Sequence, residues 1–213
     1  MLTVVIPALN AEAALEGTVA SVTNADEIVV VDGGSSDATP VLAARLGARV
    51  VAAPRGRGPQ LAAGVAAARG EWLLLLHADT RLASGWREAR LDPDRAGYFR
   101  FTLDSDDPRA RRLEWLVAWR CRVLALPYGD QGLLIHRDLL AAVGGIRELP
   151  LMEDVDLVRR LGRRRLVALD AAAVTSAARW RRHGWYRRSA RNLACLSLYF
   201  AGVPPRLLVR LYG

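Results

Sequence analysis

Three short polar groups in this chain each follow a run of apolar residues: Pro7-Ala-Leu-Asn10, Asp32-Gly-Gly-Ser-Ser-Asp37 and His77-Ala-Asp79. A carboxylate at the tip of a buried strand can accept hydrogen bonds from ribose hydroxyls or a base N–H, or it can cap the turn that follows. Asp32 is open to both readings. Asp79 comes just after the leucines Leu73 to Leu76 and so stands at the lip of a buried run. A hard divalent cation bound by a carboxylate and substrate phosphates is one natural use of it; a turn after a strand is the other. His77 shares a side with Asp79 because side chains alternate along extended backbone, and it serves either as a packed hydrogen bonder or as a ligand. Farther along, Tyr128-Gly-Asp-Gln-Gly132 sets Asp130 and Gln131 in a segment that reads both as a tight turn and as a hydroxyl-binding loop. Glu153, Asp154 and Asp156 form an acidic group whose charge suits a helix N-terminus.

These groups need elements to hold them. Leu2 to Ile6, Glu27 to Val31, Arg49 to Ala53 and Trp72 to Leu76 are short apolar runs, each bounded by turn residues, as expected for strands buried on both faces. Helical spacing occupies 11–23, a stretch ending at Leu46 with Ser36 or Asp37 as its N-cap, and 58–69. Alternating strand and helix predict an α/β fold with a doubly wound, mostly parallel sheet, in which ligands gather beyond the carboxyl ends of the strands. After Gly85 the rhythm changes. Strands are expected at 98–103, 132–135, 165–169 and 172–175, and helices at 108–126, 137–143, 153–162 and 185–201. No linker or repeat interrupts the chain, so the expectation is one domain. It divides into a nucleotide-binding half (1–83), a mixed acceptor and catalytic half (84–183) and a basic, apolar helical tail (184–213).

Composition narrows the function classes. The chain has 213 residues and a formal net charge of +8, and all its basic residues are arginine. Ordinary Gly and Pro contents and two cysteines exclude collagen-like, disordered and disulfide-scaffold proteins. Ala, Gly, Arg and Leu dominate throughout, so a GC-rich coding bias accounts for the missing lysines. The placement of charge is more telling. Residues 1–106 hold 10 arginines against 13 acids, a net of −3, whereas 107–213 hold 20 against 9, a net of +11. Cys121 and Cys195 have no ligand spacing and read as reduced thiols of a cytosolic protein. No signal peptide is visible at Met1, and the apolar run from Leu193 to Val203 is too short to span a bilayer. Arginines next to that run, with Trp180, Trp185 and Tyr186 interleaved, suit a solvated surface or an anionic membrane surface. The expected placement is therefore cytoplasmic, with peripheral contact at the inner face of the membrane. No nucleic-acid module accompanies the arginines, and none is expected to bind.

The segments 4–10, 30–39, 55–60, 76–80 and 152–157 read Val-Val-Ile-Pro-Ala-Leu-Asn, Val-Val-Asp-Gly-Gly-Ser-Ser-Asp-Ala-Thr, Arg-Gly-Arg-Gly-Pro-Gln, Leu-His-Ala-Asp-Thr and Met-Glu-Asp-Val-Asp-Leu. In this order and spacing the chain resembles a family 2 glycosyltransferase of GT-A fold, and is most similar to a small bacterial subgroup described as radical-SAM/selenodomain-associated. The resemblance implies a nucleotide-sugar donor and a hydroxyl acceptor. It implies that Pro7, Ala8, Asn10 and Asp32 hold the nucleoside, and that Arg57 and Gln60 approach the base or diphosphate. Asp79 corresponds to the last acid of the DxD motif, which holds the ribose and a Mg²⁺ or Mn²⁺. His77 stands where the first acid of that motif would be; imidazole is a poorer partner for Mg²⁺ than for Mn²⁺. Glu153-Asp154 resembles the ED motif, whose second acid is the general base of an inverting transfer. Asp130 and Gln131 lie in the region that builds the acceptor side. Arg179-Trp180 resembles the arginine–tryptophan pair that follows the ED motif, with the arginine placed to neutralise a departing diphosphate.

Two other function classes compete. Sugar-phosphate nucleotidylyltransferases share a related nucleotide-binding plan, but carry a glycine-rich basic loop where this chain has Pro-Ala-Leu-Asn. A non-catalytic membrane- or RNA-binding protein on a degenerate transferase scaffold is the other. Neither GxGxxG nor Walker A occurs, which weighs against dinucleotide and P-loop binding.

Overall fold

Apolar, β-branched runs and short helices alternate along the first third of the chain, and the computed structural model, which describes residues 1–212, shows what they build. In order these are β1 (Leu2–Ala8), α1 (Glu12–Ala20), β2 (Glu27–Asp32), α2 (Thr39–Arg45), β3 (Arg49–Ala52), α3 (Arg57–Ala67) and β4 (Trp72–Leu75). The second part adds β5 (Thr80–Leu82), β6 (Ala96–Leu103), α4 (Pro108–Leu124), β7 (Leu133–His136), α5 (Arg137–Ala142), α6 (Glu153–Leu161) and β8 (Leu166–Thr175). Three helices close the described chain: α7 (Ala178–His183), α8 (Trp185–Phe200) and α9 (Pro205–Tyr212).

All eight strands join one sheet in the order β3-β2-β1-β4-β7-β6-β8-β5. β3, β2, β1 and β4 are parallel; β7 is antiparallel to β4 and β6, while β6 and β8 are parallel. The chain leaves β1 for β2 and β3 on one side, then returns to place β4 on the other. That reversal opens a crevice beyond the carboxyl ends of β1 and β4, where an open α/β sheet places its ligands.

Alternation along β1 divides the core. Val4 and Ile6 pack under α1 and α2 with Leu15, Val19 and Ala43, and Val5 packs under α3, α5 and α6 with Leu61, Leu139 and Leu157. Helices on both faces explain why the strands are apolar throughout. The approach of α3 to the sheet requires Gly64, where a Cβ would overlap Val5.

The structure departs from expectation in four places. α2 begins at Thr39, with Ala38 as its N-cap, because Asp37 accepts from the Thr39 N–H and hydroxyl and so continues the loop rather than capping a helix beyond it. The two strand pieces at 165–169 and 172–175 are one strand. Register against β6 jumps from Phe99–Leu169 to Arg100–Ala172, so Asp170 and Ala171 form a bulge. β5, three residues long, has too few positions to show a period. Finally, α7 and α9 flank the helix expected at 185–201 as separate elements, divided from it by Gly184 at φ 81° and by Pro204-Pro205.

Candidate active site

The tips of β1 and β2 are fastened to each other. Asn10, in the left-handed region at φ 49°, accepts from the Ser36 N–H at 2.8 Å through Oδ1, while its own N–H donates to Ser35 Oγ at 2.9 Å. Asp32 accepts from the N–H groups of Gly34 and Ser35 and from the Ser35 hydroxyl. Beneath them Gln60 is buried, and its amide donates to Ala8 O at 2.7 Å and Val31 O at 2.8 Å. Pro7 and Ala8 are the last two residues of β1 and are themselves buried. The structure thus makes Gln60 a brace between two strand ends, out of reach of a base or diphosphate.

Beside this brace lies a cleft. Its lining includes Arg57, His77, Asp79, Asp130, Asp154 and Arg179. His77 and Asp79 come from the loop after β4; Glu153 and Asp154 open α6, preceded by Met152 at φ 66°. A non-glycine residue in that region is strained, and the strain turns the chain sharply into the helix at the point where two acids are needed. Gly129 belongs to the 3₁₀ turn Gly129–Gln131 and donates its N–H to Asp154 Oδ2 at 2.9 Å. A Cβ there would overlap the His77 ring, so glycine is what lets this turn approach. Asp154 Oδ1 accepts from the Val155 N–H at 2.8 Å.

Arg57, the first residue of α3, sets the charge balance. Its Nε lies 2.9 Å from Glu153 Oε1, joining the N-termini of α3 and α6. Burial pushes the Asp154 carboxyl upward, but Arg57 and the Gly129 N–H outweigh it and hold it below its ordinary value. Burial holds Glu153 above its ordinary value against the pull of Arg57. His77 is pushed down to about 4 by burial and by Arg57, so its imidazole is neutral at physiological pH. Asp79 faces Arg179 at 3.4 Å.

The far wall comes from the second half of the chain. Tyr128 and Asp130 precede β7, Thr175 ends β8, and Trp180 from α7 stacks on Trp185 at 6.5 Å between ring centroids. α8 contributes Arg188, Asn192 and Leu196. Four polar atoms on this wall are buried without a hydrogen-bond partner among the described residues: Tyr128 Oη, Asp130 Oδ1, Trp180 Nε1 and Asn192 Oδ1. Burial raises Asp130 to about 6. Gln131, by contrast, is turned inward. It donates to Phe99 O at 3.0 Å and accepts from the Tyr128 N–H, bracing the turn and leaving nothing for an acceptor.

Seven of the sequence-derived site residues therefore meet in the cleft: Arg57, His77, Asp79, Asp130, Asp154, Arg179 and Trp180. Asn10 and Asp32 stand one strand over, at the tip fastened to it. Sequence reasoning missed Tyr128, Thr175, Arg188 and Asn192. Arg188 is one of the arginines next to the apolar run that, with Trp180, the sequence assigns to a surface, yet both are buried, at 6% and 8% exposure. The signal was available, because Trp185, Arg188, Asn192 and Cys195 recur at helical spacing and so share one side of α8.

Residues 3–107 match the model of the glycosyl transferase family 2. An uncharacterized glycosyltransferase of Mycobacterium tuberculosis is 40% identical over 84 residues, which is 39% of this chain and 38% of that relative. A TPR repeat-containing protein of Synechococcus elongatus is 33% identical over 99 residues, 42% of this chain and 23% of its own length. Among solved structures, glucosyl-3-phosphoglycerate synthase of Mycobacterium tuberculosis, in complex with Mn²⁺, UDP and glucosyl-3-phosphoglycerate, superposes with a TM-score of 0.56 at 23% identity. That superposition covers 82% of this chain and 71% of the synthase. The synthase with Mn²⁺ and UDP-glucose aligns equally well, with a TM-score of 0.57. The fold is GT-A, as the resemblance implies, and its first half is the doubly wound α/β unit that the strand alternation predicts. The family match falls on the half that holds the strand tips and the loop after β4, so residues 3–107 carry a glycosyl transferase family 2 domain.

Proposed function

We propose that this protein transfers a sugar from a nucleotide-diphosphate donor to an acceptor hydroxyl with inversion, using Asp154 as the general base. The observation that carries the reading is the placement of Asp154. Its carboxyl group is fixed by N–H donors from Gly129 and Val155, at the cleft between the β4 loop and α8. An acceptor hydroxyl must shed its proton as its oxygen attacks the anomeric carbon from the face opposite the leaving diphosphate. A carboxylate held in one orientation is suited to take that proton. The tips of β1 and β2, with Asn10 and Asp32, form the nucleoside side. Arg57, Arg179 and Arg188 bring guanidinium groups into the same cleft, where they offset the negative charge that builds on the diphosphate as its bond to the sugar breaks. Trp180, Tyr128, Asp130 and Asn192 form the acceptor side.

The cleft also fits a divalent ion. His77 presents a neutral ring nitrogen, Asp79 a carboxylate, and Asp130 Oδ1 is a buried oxygen without a partner among the described residues. His77, Glu153 and Asp154 have ligand atoms all within 4.8 Å of one another. Nitrogen and oxygen donors together favour Mn²⁺ over Mg²⁺. We assign the ion to His77 and Asp79, because Arg179 holds Asp79 only loosely at 3.4 Å, whereas Arg57 engages Glu153 at 2.9 Å and Asp154 is reserved for the proton. Bound there, it would add positive charge at the diphosphate.

The test is a screen of nucleotide sugars for release of nucleoside diphosphate, run with EDTA and then with Mn²⁺. Release from at least one donor, raised by Mn²⁺ and lost in Asp154→Asn, supports the reading. No release from any donor, or an Asp154→Asn variant that retains most of the transfer, overturns it.

A further inference from the structure

Fourteen large hydrophobic side chains are exposed among the described residues, and twelve of them sit on α4, α8 and α9. On α4, Trp115, Trp119 and Val123 recur at four-residue steps and form one outward stripe, while Ala110, Val117 and Cys121 face the core. The two tryptophans are 66% and 49% exposed, whereas Trp180 and Trp185 are buried and stack on each other.

The three helices share an edge of the molecule. α8 meets α4 at both ends: Arg109 lies over the Trp185 ring at 5.6 Å, and Leu124 and Phe200 line one groove with Arg159 and Arg163. α9 packs on α8 through the buried Leu208 and Cys195. The charge on this edge is mainly positive. Residues 1–170 hold 22 arginines and all 22 acids, so they are neutral as a unit; residues 171–213 hold eight arginines and no acid. On α4 the only acid is Glu114, which is paired with Arg111 at 2.6 Å.

We propose that this edge binds the surface of an anionic phospholipid bilayer, with α4 lying in the interface and Trp115 and Trp119 inserted among the headgroups. An apolar stripe rimmed by arginine matches such a surface in both polarity and charge, and tryptophan is well placed at a boundary that is apolar on one side and wet on the other. The proposed contact is peripheral; among the described residues no helix is long and apolar enough to cross a membrane. This corrects the face expected from sequence. Trp180, Trp185 and Arg188 are turned inward, and the exposed tryptophans belong to α4. α8 lines the cleft with Arg188 and Asn192 and shows Tyr186 and Leu193 to the outside, so a seated bilayer would lie about one helix diameter, roughly 10 Å, from the cleft. The inference stands apart from the proposed transfer reaction.

Flotation of the purified protein with phosphatidylglycerol vesicles, and with pure phosphatidylcholine vesicles, tests it. Wild type is expected to float with the anionic vesicles and to be released by high salt. Trp115→Ala with Trp119→Ala should lower partitioning about ten-fold or more, given the area of two indoles. Arg112→Gln with Arg122→Gln should lower it about five-fold per arginine. Wild type that stays unbound, or a double tryptophan variant that floats like wild type, overturns the proposal. So does a concentration-dependent dimer, or an RNA complex, that the tryptophan pair abolishes while vesicle binding is absent.

Discussion

The two walls of the cleft use their polar groups in opposite ways. On the β1–β2 side, Asn10, Asp32, Asp37 and Gln60 are all hydrogen-bonded within the protein. On the α7–α8 side, Tyr128, Asp130, Trp180 and Asn192 each bury a polar atom that no described residue satisfies. A buried group without a partner costs free energy until something supplies one, so the second wall is incomplete in the way a wall waiting for a ligand is incomplete. On the proposed function, the first wall is scaffold that a nucleoside rests against. The difference teaches that the unsatisfied polar groups of the cleft lie on the wall proposed to meet the varying substrate.

Substitutions can break or sharpen this contrast. The largest effect is expected between the walls, at Asp154. Asp154→Asn should lower the transfer rate by about 10²- to 10⁴-fold, the usual worth of a positioned general base, while donor affinity measured by calorimetry stays within about three-fold. Next comes the satisfied wall. Gln60→Ala removes the two buried amide hydrogen bonds to Ala8 O and Val31 O, the first of which keeps the Gly33 N–H, and should cost about 1–3 kcal/mol in urea unfolding. A loss under about 1 kcal/mol would show that the strand tips do not depend on the brace.

The opposite sign is expected across the cleft. Burial raises Asp130 from 3.8 to about 6, so its contribution to stability is fully present below the unfolded value and is lost as pH rises through 6. Asp130→Asn should therefore stabilise the ligand-free protein at pH 7.5, by on the order of 1–3 kcal/mol, and have little effect at pH 4. A destabilised variant at pH 7.5 would mean that the carboxylate has a partner in the protein. The smallest effect belongs to Trp180. Trp180→Phe removes an indole N–H that bonds to no described residue, and should change stability by less than about 1 kcal/mol. A larger loss would move Trp180 to the satisfied class and weaken the contrast between the walls.

The N-terminal half was legible because its signals are local. Leu2–Ile6 and Leu73–Leu76 are apolar without alternation, which only a strand covered on both faces tolerates, and the polar groups that follow them must emerge at the same sheet edge. The second half resisted because its signals are long-range. Nothing in Leu166–Thr175 announces a bulge that exists only in register with β6, and Thr80–Leu82 is a strand only because β8 pairs with it. Gln60 and Gln131 illustrate the same limit. Each lies beside a motif, and an amide is as able to meet a ligand as to satisfy a carbonyl; the backbone oxygens of Ala8, Val31 and Phe99 decided which.

By itself the sequence determined the doubly wound α/β half, the loop after β4 that carries His77 and Asp79, and the acids at the start of a helix. Periodicity and turn chemistry act over a few residues and can be read in one dimension. Only the tertiary structure decided which arginines line the cleft and which lie elsewhere. Arg57, Arg179 and Arg188 are 9 to 131 residues apart in the chain, yet they line one cleft, while the tryptophans that look outward lie on α4. Charge and burial depend on what the rest of the fold brings alongside a side chain, and that neighbour is rarely a neighbour in sequence.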